Sequence, residues 1–239
     1  MTKKQEITNI RLSDDGASVI ILDQTLLPNE TRYIELRSAQ QLYEAIYALR
    51  VRGAPAIGIF AAYALCVLAR QIRTDDFDVF KTEIFKHSAY LSSSRPTAVN
   101  LATQLRRMEK LIDRSSGLRS SGLRSSGLRI SRIIEAMREE ADKIYREDVE
   151  MCRLISEHGL TLIRDGYGIM TQCNAGPLAT SRYGTALGPI IMGHERAMRL
   201  HAYICETRPL LQGARLTAFE LDSAGIDCTL ICDNMAVSS

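Results

Sequence analysis

Apolar residues cluster in short runs around a polar turn over residues 17–36 (ASVIILDQTLLPNETRYIEL), which predicts a small β-ribbon near the start of the chain. The period then lengthens. Ser38 and Gln41 have the spacing of a capping box, and Leu42, Ala45, Ile46 and Leu49 follow at helical intervals, so an amphipathic helix is expected to end near Val51. An apolar helix from Pro55 to Arg70 comes next, then a more polar one around residues 76–91. Beyond Arg95-Pro96, the apolar positions 101, 105, 108 and 112 mark a further helix.

The second half has a different rhythm. A charged helix from Ile130 to about Glu157 is expected to bury Ile133, Met137, Ile144, Met151 and Leu154, with Gly159 as its C-cap. Strand-like and helical runs then alternate: GIMTQC at 168–173, a helix through about 177–197, LHAYIC at 200–205, a helix through about 211–224, and CTLIC at 228–232. This βαβαβ order implies a parallel sheet of the doubly wound kind. The reading is therefore an α/β chain in two parts. Residues 1–129 form a β-ribbon and helical domain, and residues 130–239 a long connecting helix with an incomplete Rossmann-like domain, whose three expected strands fall short of the usual about five or six.

Between the parts, SSGLR occurs three times in succession at 115–129. Gly and Ser at this density oppose helix, and one Leu per pentad cannot form a core, so a flexible, exposed insertion is expected. It also explains the charge. The chain carries a net +2, but the stretch 114–129 holds four Arg and no acid, which leaves the remainder at −2. No aromatic residue lies among these arginines to stack on a base, so a nucleic-acid arm is disfavoured. Apolar and charged contents of 46% and 24% exclude a wholly disordered chain. The first residues lack an apolar core of the secretory kind, and the longest uncharged stretch, Gly53 to Ala69, is short for a membrane span and contains Pro55 and Gly58. A cytoplasmic protein without membrane association is expected.

Candidate chemistry falls in two places. Three prolines follow an Arg closely at expected helix starts: Arg52-Gly53-Ala54-Pro55, Arg95-Pro96 and Arg208-Pro209. Proline suits a first helical turn, whose free N–H groups favour an anion, and an adjacent guanidinium adds a bidentate fork. A phosphorylated small molecule fits this pattern, although each Arg could equally be a surface residue paired with a nearby acid. The carboxyl ends of the expected parallel strands, where such sheets gather ligands, supply Cys173-Asn174-Ala175-Gly176, Cys205-Glu206-Thr207-Arg208 and Asp233-Asn234. Cys173 is singled out because it stands where a strand meets a Gly-containing turn, a setting that tunes a thiol. The other five cysteines read as small packing groups. Neither they nor His87, His158, His194 and His201 have the spacing of a metal site. No GxGxxG or GxxxxGK[ST] segment occurs.

The segments RGAPAIG (52–58), SSRPTAVNL (93–101), TQCNAGPLATSRYGTALGPI (171–190), ETRPLLQGARLTAFEL (206–221) and DNMA (233–236) closely resemble, in the same order, the S-methyl-5-thioribose-1-phosphate isomerase family. The regulatory subunits of translation initiation factor 2B and ribose-1,5-bisphosphate isomerase are related. The resemblance implies a cofactor-free aldose–ketose isomerisation of methylthioribose 1-phosphate to methylthioribulose 1-phosphate in methionine salvage, by a homodimer whose partner is a phosphorylated pentose. Carried over by motif, Arg52, Gly53, Ala54, Arg95 and Gln212 bind substrate and Cys173 is the catalytic thiol. The family pairs its Cys with an Asp in a GADR-like segment, followed by an Asn-Lys pair; Ser239 precedes both, so the chain reads as a C-terminally truncated member with impaired activity. The alternative is a non-enzymatic relative of the initiation factor 2B regulatory subunits, binding a sugar phosphate or nucleotide through the same arginines.

Overall fold

A computed structural model describes residues 8–116 and 126–237. The chain forms two compact units. A helical unit comprises Ile10–Leu22 and Tyr33–Arg146, and a sheet unit comprises Met1–Asn9, Asp23–Arg32 and Glu147–Ser239. The division therefore falls at 146/147, inside a helix, where the sequence pattern placed a domain boundary at 129/130, and the segment 23–32 groups with the sheet unit.

The helical unit opens on three antiparallel strands, β1 (Ile10–Leu12), β2 (Val19–Leu22) and β3 (Tyr33–Leu36), paired in chain order with Ile10 opposite Ile21 and Val19 opposite Leu36. The expected ribbon is β2 with β3, and β1 is an addition. Helix α1 (Ala39–Tyr47) starts on the anticipated capping box: the Gln41 N–H donates to Ser38 Oγ (3.2 Å) and the Ser38 N–H to Gln41 Oε1 (3.1 Å). It ends before the expected Val51 because Leu49 takes a positive φ of 61° and the Val51 N–H turns back to the Ala45 carbonyl (3.1 Å).

Helix α2 (Ala54–Ala69) is apolar all round, so it can only be stable surrounded by other elements, and it is buried from Ala56 to Ala69. Helix α3 (Phe77–Ser93) is capped by Asp76, whose carboxylate accepts from the N–H groups of Asp78 (2.7 Å) and Val79 (3.2 Å). Helix α4 (Val99–Ser116) buries Leu101, Leu105, Met108 and Ile112, the anticipated stripe. No helix among the described residues is long and apolar enough to cross a membrane.

Helix α5 (Ser126–Leu160) begins earlier than expected. Residues 117–125, which hold most of the pentads, lie outside the described residues; the described edges of the repeat are the last turn of α4 and the first turn of α5. Continuing a long helix by one turn costs little compared with starting a new one, which outweighs the local preference of Gly and Ser. Arg129 ties the two edges together, its Nη2 donating to the Ser115 carbonyl (2.8 Å) and its guanidinium lying over the Phe77 ring.

Up to Arg146, α5 buries Ile133, Met137 and Ile144 as its pattern predicts. Beyond it the buried face rotates to Asp148, Cys152 and Ser156, leaving Met151 and Leu154 at 45% and 40% exposure. The polar groups turn inward because they have partners there: Ser181 donates to Asp148 Oδ2 through its N–H (2.9 Å) and its hydroxyl (2.6 Å), and Ser156 Oγ donates to the Cys152 carbonyl (2.7 Å). Gly159 sits inside the helix, not at its cap. A β-carbon there would approach the Pro189 ring to 2.5 Å, so close packing is what requires glycine.

The sheet unit holds three parallel strands, β4 (Gly168–Thr171), β5 (His201–Cys205) and β6 (Cys228–Ile231), adjacent in chain order with Thr171 opposite Ile204 and Ile204 opposite Leu230. Helices α6 (Gly188–Glu195) and α7 (Ala218–Ala224) provide the crossovers, giving the anticipated βαβαβ order. Leu187, Ile190 and Leu221 cover Ala202 and Ile204 to form the core. The stretch 177–197 is not one helix. A 3-10 turn at Pro177–Ala179 is followed by irregular chain as far as α6, because Tyr183 and Gly184 take positive φ and the N–H groups of Thr185 (2.9 Å) and Leu187 (3.4 Å) return to the Ala175 carbonyl. In 211–224, a π-type turn at Gly213–Thr217 precedes α7.

Candidate functional site

Of the three Arg-Pro segments, only the first opens a helix in the expected way. Gly53 is the N-cap of α2 with φ 98°, a conformation that favours glycine, and Pro55 lies in the first turn. No side chain caps this end. Pro96 lies in a turn before Val99, and Pro209 in a turn before the π segment, so neither occupies a first helical turn.

Within the helical unit, Arg52–Ala54 and Arg95 are nevertheless brought to the same end of a helix pair. A β-carbon on Gly58, about 6 Å of helix beyond Ala54, would come within 3.2 Å of the Asn100 carbonyl near the start of α4. The two helices thus cross closely beside their starts, and Arg52 and Arg95 each precede one of those starts. Both side chains are half-buried.

The sheet unit assembles Cys173 and Gln212 at the carboxyl ends of its strands. Two residues past β4 stands Cys173, two past β5 stands Thr207, and two past β6 stands Asp233. These three are linked in series. The Cys173 N–H donates to Thr207 Oγ1 (2.8 Å), and the Thr207 N–H donates to Asp233 Oδ1 (2.7 Å). The other Asp233 oxygen accepts from the Arg208 N–H (2.8 Å), so this carboxylate serves as a clamp on backbone. Thr207 also leads to Gln212, because its carbonyl accepts from the Leu211 N–H (2.8 Å). Gly213 then packs so tightly against the Cys205 carbonyl that any β-carbon there would collide with it.

Cys173 has φ 62°, which a side chain rarely adopts. Its carbonyl accepts from Thr217 Oγ1 (2.6 Å), and no hydrogen bond reaches its Sγ among the described residues. The next residue anchors the turn: the Asn174 amide donates to the Glu220 carboxylate and to Thr217 Oγ1 (3.2 Å). Glu220, only 3% exposed, also accepts from the Leu178 N–H (2.6 Å), and its carboxylate fills the space a β-carbon on Gly176 would need. Further along, the Asn9 amide donates to the carbonyls of Pro177 (2.9 Å) and Thr180 (2.6 Å), and Gln24 donates to that of Leu178 (2.8 Å).

The cysteines separate by environment. Burial pushes the Cys66 thiol up to about 12 and Cys152 up to about 11, and raises Cys228 as well, so these are protonated packing groups. All six are free, and among the described residues no group of His, Cys, Asp and Glu could hold a metal ion. His201 is engaged by Asp227 (2.7 Å) and Thr229 (2.9 Å).

Thr217 and Glu220 were not foreseen. They sit in a stretch that reads as plain helix, and their partners are more than forty positions away.

A helical unit carrying arginines at helix starts and an α/β unit carrying polar groups at its strand ends define a two-part chain of the Rossmann-like class. Residues 50–238 match the initiation factor 2 subunit family, and the chain belongs to it. Over 97% of its length it is 50% identical to methylthioribose-1-phosphate isomerase of Symbiobacterium thermophilum, and over 96% it is 46% identical to 5-deoxyribose 1-phosphate isomerase of Petrotoga mobilis. It spans 62% and 63% of those proteins. Among solved structures, 5-methylthioribose 1-phosphate isomerase from Pyrococcus horikoshii aligns with TM-score 0.84 and 33% identity, covering 97% of this chain and 61% of that one. The delta subunit of translation initiation factor eIF-2B from A. fulgidus aligns with TM-score 0.82 and 38% identity, covering 96% and 63%.

Proposed function

We propose that this chain belongs to an aldose–ketose isomerase that converts 5-methylthioribose 1-phosphate to 5-methylthioribulose 1-phosphate in methionine salvage. The observation that carries the reading is a thiol left free of hydrogen bonds, on a backbone fixed at a parallel strand end, in a chain 50% identical to an isomerase so named. Arg52, Gly53 and Ala54 bind the substrate, Arg95 and Gln212 complete much of the phosphate and sugar site, and Cys173 is the catalytic thiol.

The substrate's anomeric carbon is blocked by phosphate, so the ring opens only as the isomerisation proceeds. Hydrogen on C2 moves to C1, the bond from C1 to the ring oxygen breaks, O2 loses its proton and the ring oxygen gains one. Such a sequence needs acid and base groups out of bulk water, and Cys173 is one of them. Asp233, with both oxygens on backbone N–H groups, is not assigned the partner role.

The test is Cys173→Ala in a protein that carries the C-terminal segment of its relatives as well, with methylthioribose 1-phosphate as ligand. Turnover is expected to vanish while calorimetric binding persists, and Arg52→Met is expected to weaken binding by tenfold or more. Undiminished turnover in Cys173→Ala sinks the reading. The likeness to the A. fulgidus subunit favours a second one, a regulatory subunit that binds a sugar phosphate or nucleotide without turnover; binding without activity even with that C-terminal segment present, unaffected by Cys173→Ala, is its signature. We place the active form as a cytoplasmic homodimer, which sedimentation and cell fractionation check.

A further inference from the structure

The strand-end chain of hydrogen bonds carries an inference beyond the substrate contacts, resting on the assignment of Cys173 as the reactive thiol. A residue with a β-carbon at φ 62° stays there only if its surroundings hold it. For Cys173 the holding groups are two threonine hydroxyls on different elements. Thr207 Oγ1 accepts the Cys173 N–H (2.8 Å) and itself donates to the Cys205 carbonyl (3.0 Å), which fixes the direction of its acceptor lone pairs. Thr217 Oγ1 donates to the Cys173 carbonyl (2.6 Å) and accepts from the Asn174 amide (3.2 Å).

Each hydroxyl is thus oriented by a second partner before it reaches Cys173. Thr207 itself has φ 62°, and Asp233 secures it through its N–H (2.7 Å). Both peptide groups of Cys173 are used in this way, and its thiol is not.

We propose that Thr207 and Thr217 are positioning residues for Cys173: their hydroxyls lock its left-handed backbone from both sides and so fix where the thiol stands. Asp233 acts one step further back, through Thr207.

The decisive variants are Thr207→Val and Thr217→Val, which keep shape and remove the hydroxyl, with Thr207→Ser as the rescue. Alkylation by iodoacetamide is followed by peptide mapping, with the exposed Cys232 as internal reference. Alkylation of Cys173 is expected to quicken about three- to tenfold in either Val variant, the range set by loss of one hydrogen bond, and to return to the parent rate in Thr207→Ser. Where methylthioribose 1-phosphate is turned over, kcat is expected to fall by a similar factor with KM nearly unchanged, a split that general loosening of the fold does not produce.

If the Val variants fail to fold, amide hydrogen exchange in the parent chain decides. The Cys173 amide is expected to be protected well beyond open-loop rates, and exchange at open-loop rates overturns the proposal. So do parent-like alkylation and kcat in both folded Val variants. A parent that stays inactive even with the C-terminal segment of its relatives present, and whose Cys173 alkylation still responds to the Val changes, supports the positioning while removing the isomerase reading.

Discussion

The helical unit and the sheet unit are held together by different forces. In the helical unit one continuous apolar cluster runs from Ile10 to Ile144 around α2, and the buried polar residues among those described there are three serines, Ser18, Ser88 and Ser94. The sheet unit has an apolar cluster of six buried residues, yet contains eleven of the fourteen buried polar or charged residues among those described. Apolar packing is non-directional and tolerates substitution of similar volume, whereas a buried polar group is stabilising only when each partner is in place. The unit with strand-end chemistry is therefore the one whose structure depends on individual pairings.

The sharpest way to expose that difference is at Glu220. Glu220→Ala removes the acceptor that the Asn174 amide and the Leu178 N–H share, so a loss of about 1–3 kcal/mol for each donor left unsatisfied is expected. Glu220→Gln preserves the volume but turns one acceptor into a donor facing a donor, and is expected to recover little. Urea unfolding followed by circular dichroism gives the size, and hydrogen exchange locates the loss in the sheet unit. Near-parent stability of Glu220→Gln would show that volume, not pairing, decides there.

The helical unit is expected to respond the opposite way. Leu65 is fully buried in α2, and Leu65→Ala should cost about 2–5 kcal/mol through lost burial and the cavity left behind. Leu65→Met, close in volume, should cost less than about 1.5 kcal/mol. The same urea experiment checks this pair. A large loss in Leu65→Met would mean that this core, too, is specified side chain by side chain.

The same contrast explains what was legible in the sequence. Periodicity reports which face of a helix is apolar, so the stripe Leu101, Leu105, Met108 and Ile112 and the first half of α5 could be read directly. It is blind to a face buried by polar pairing, which is why Met151 and Leu154 stood in for Asp148, Cys152 and Ser156. Strand ends could be located from the βαβαβ pattern, and with them Cys173, Thr207 and Asp233. Their linkage could not, because it depends on register across β4, β5 and β6. The Arg-Pro pattern held at Pro55, where a positive-φ Gly53 opens α2; at Pro96 and Pro209 a turn intervenes before the helix, which a dipeptide does not reveal.

The smallest effect, and one with a sign that separates the two units, belongs to Asp148. Burial holds its carboxyl above the ordinary 3.8, against the hydrogen bonds from Ser181 and Cys152 that pull it down. A carboxyl raised on folding contributes stability that is fully present below pH 3.8 and is lost as pH rises through its folded-state value. Above that range, burial of the carboxyl is therefore a net cost to the sheet unit. Asp148→Asn keeps an acceptor oxygen for the Ser181 N–H and hydroxyl and removes the charge, so it is expected to raise Tm modestly at pH 7. The gain should shrink as the sample is acidified toward pH 3.8, because the parent carboxyl then carries its own proton. Leu65→Met in the apolar core should show no such dependence. Thermal melts of parent and variant across that range decide the point: an Asp148→Asn chain less stable than the parent at pH 7 would mean that the charge, through its bonds to Ser181, stabilises the turn more than burial penalises it.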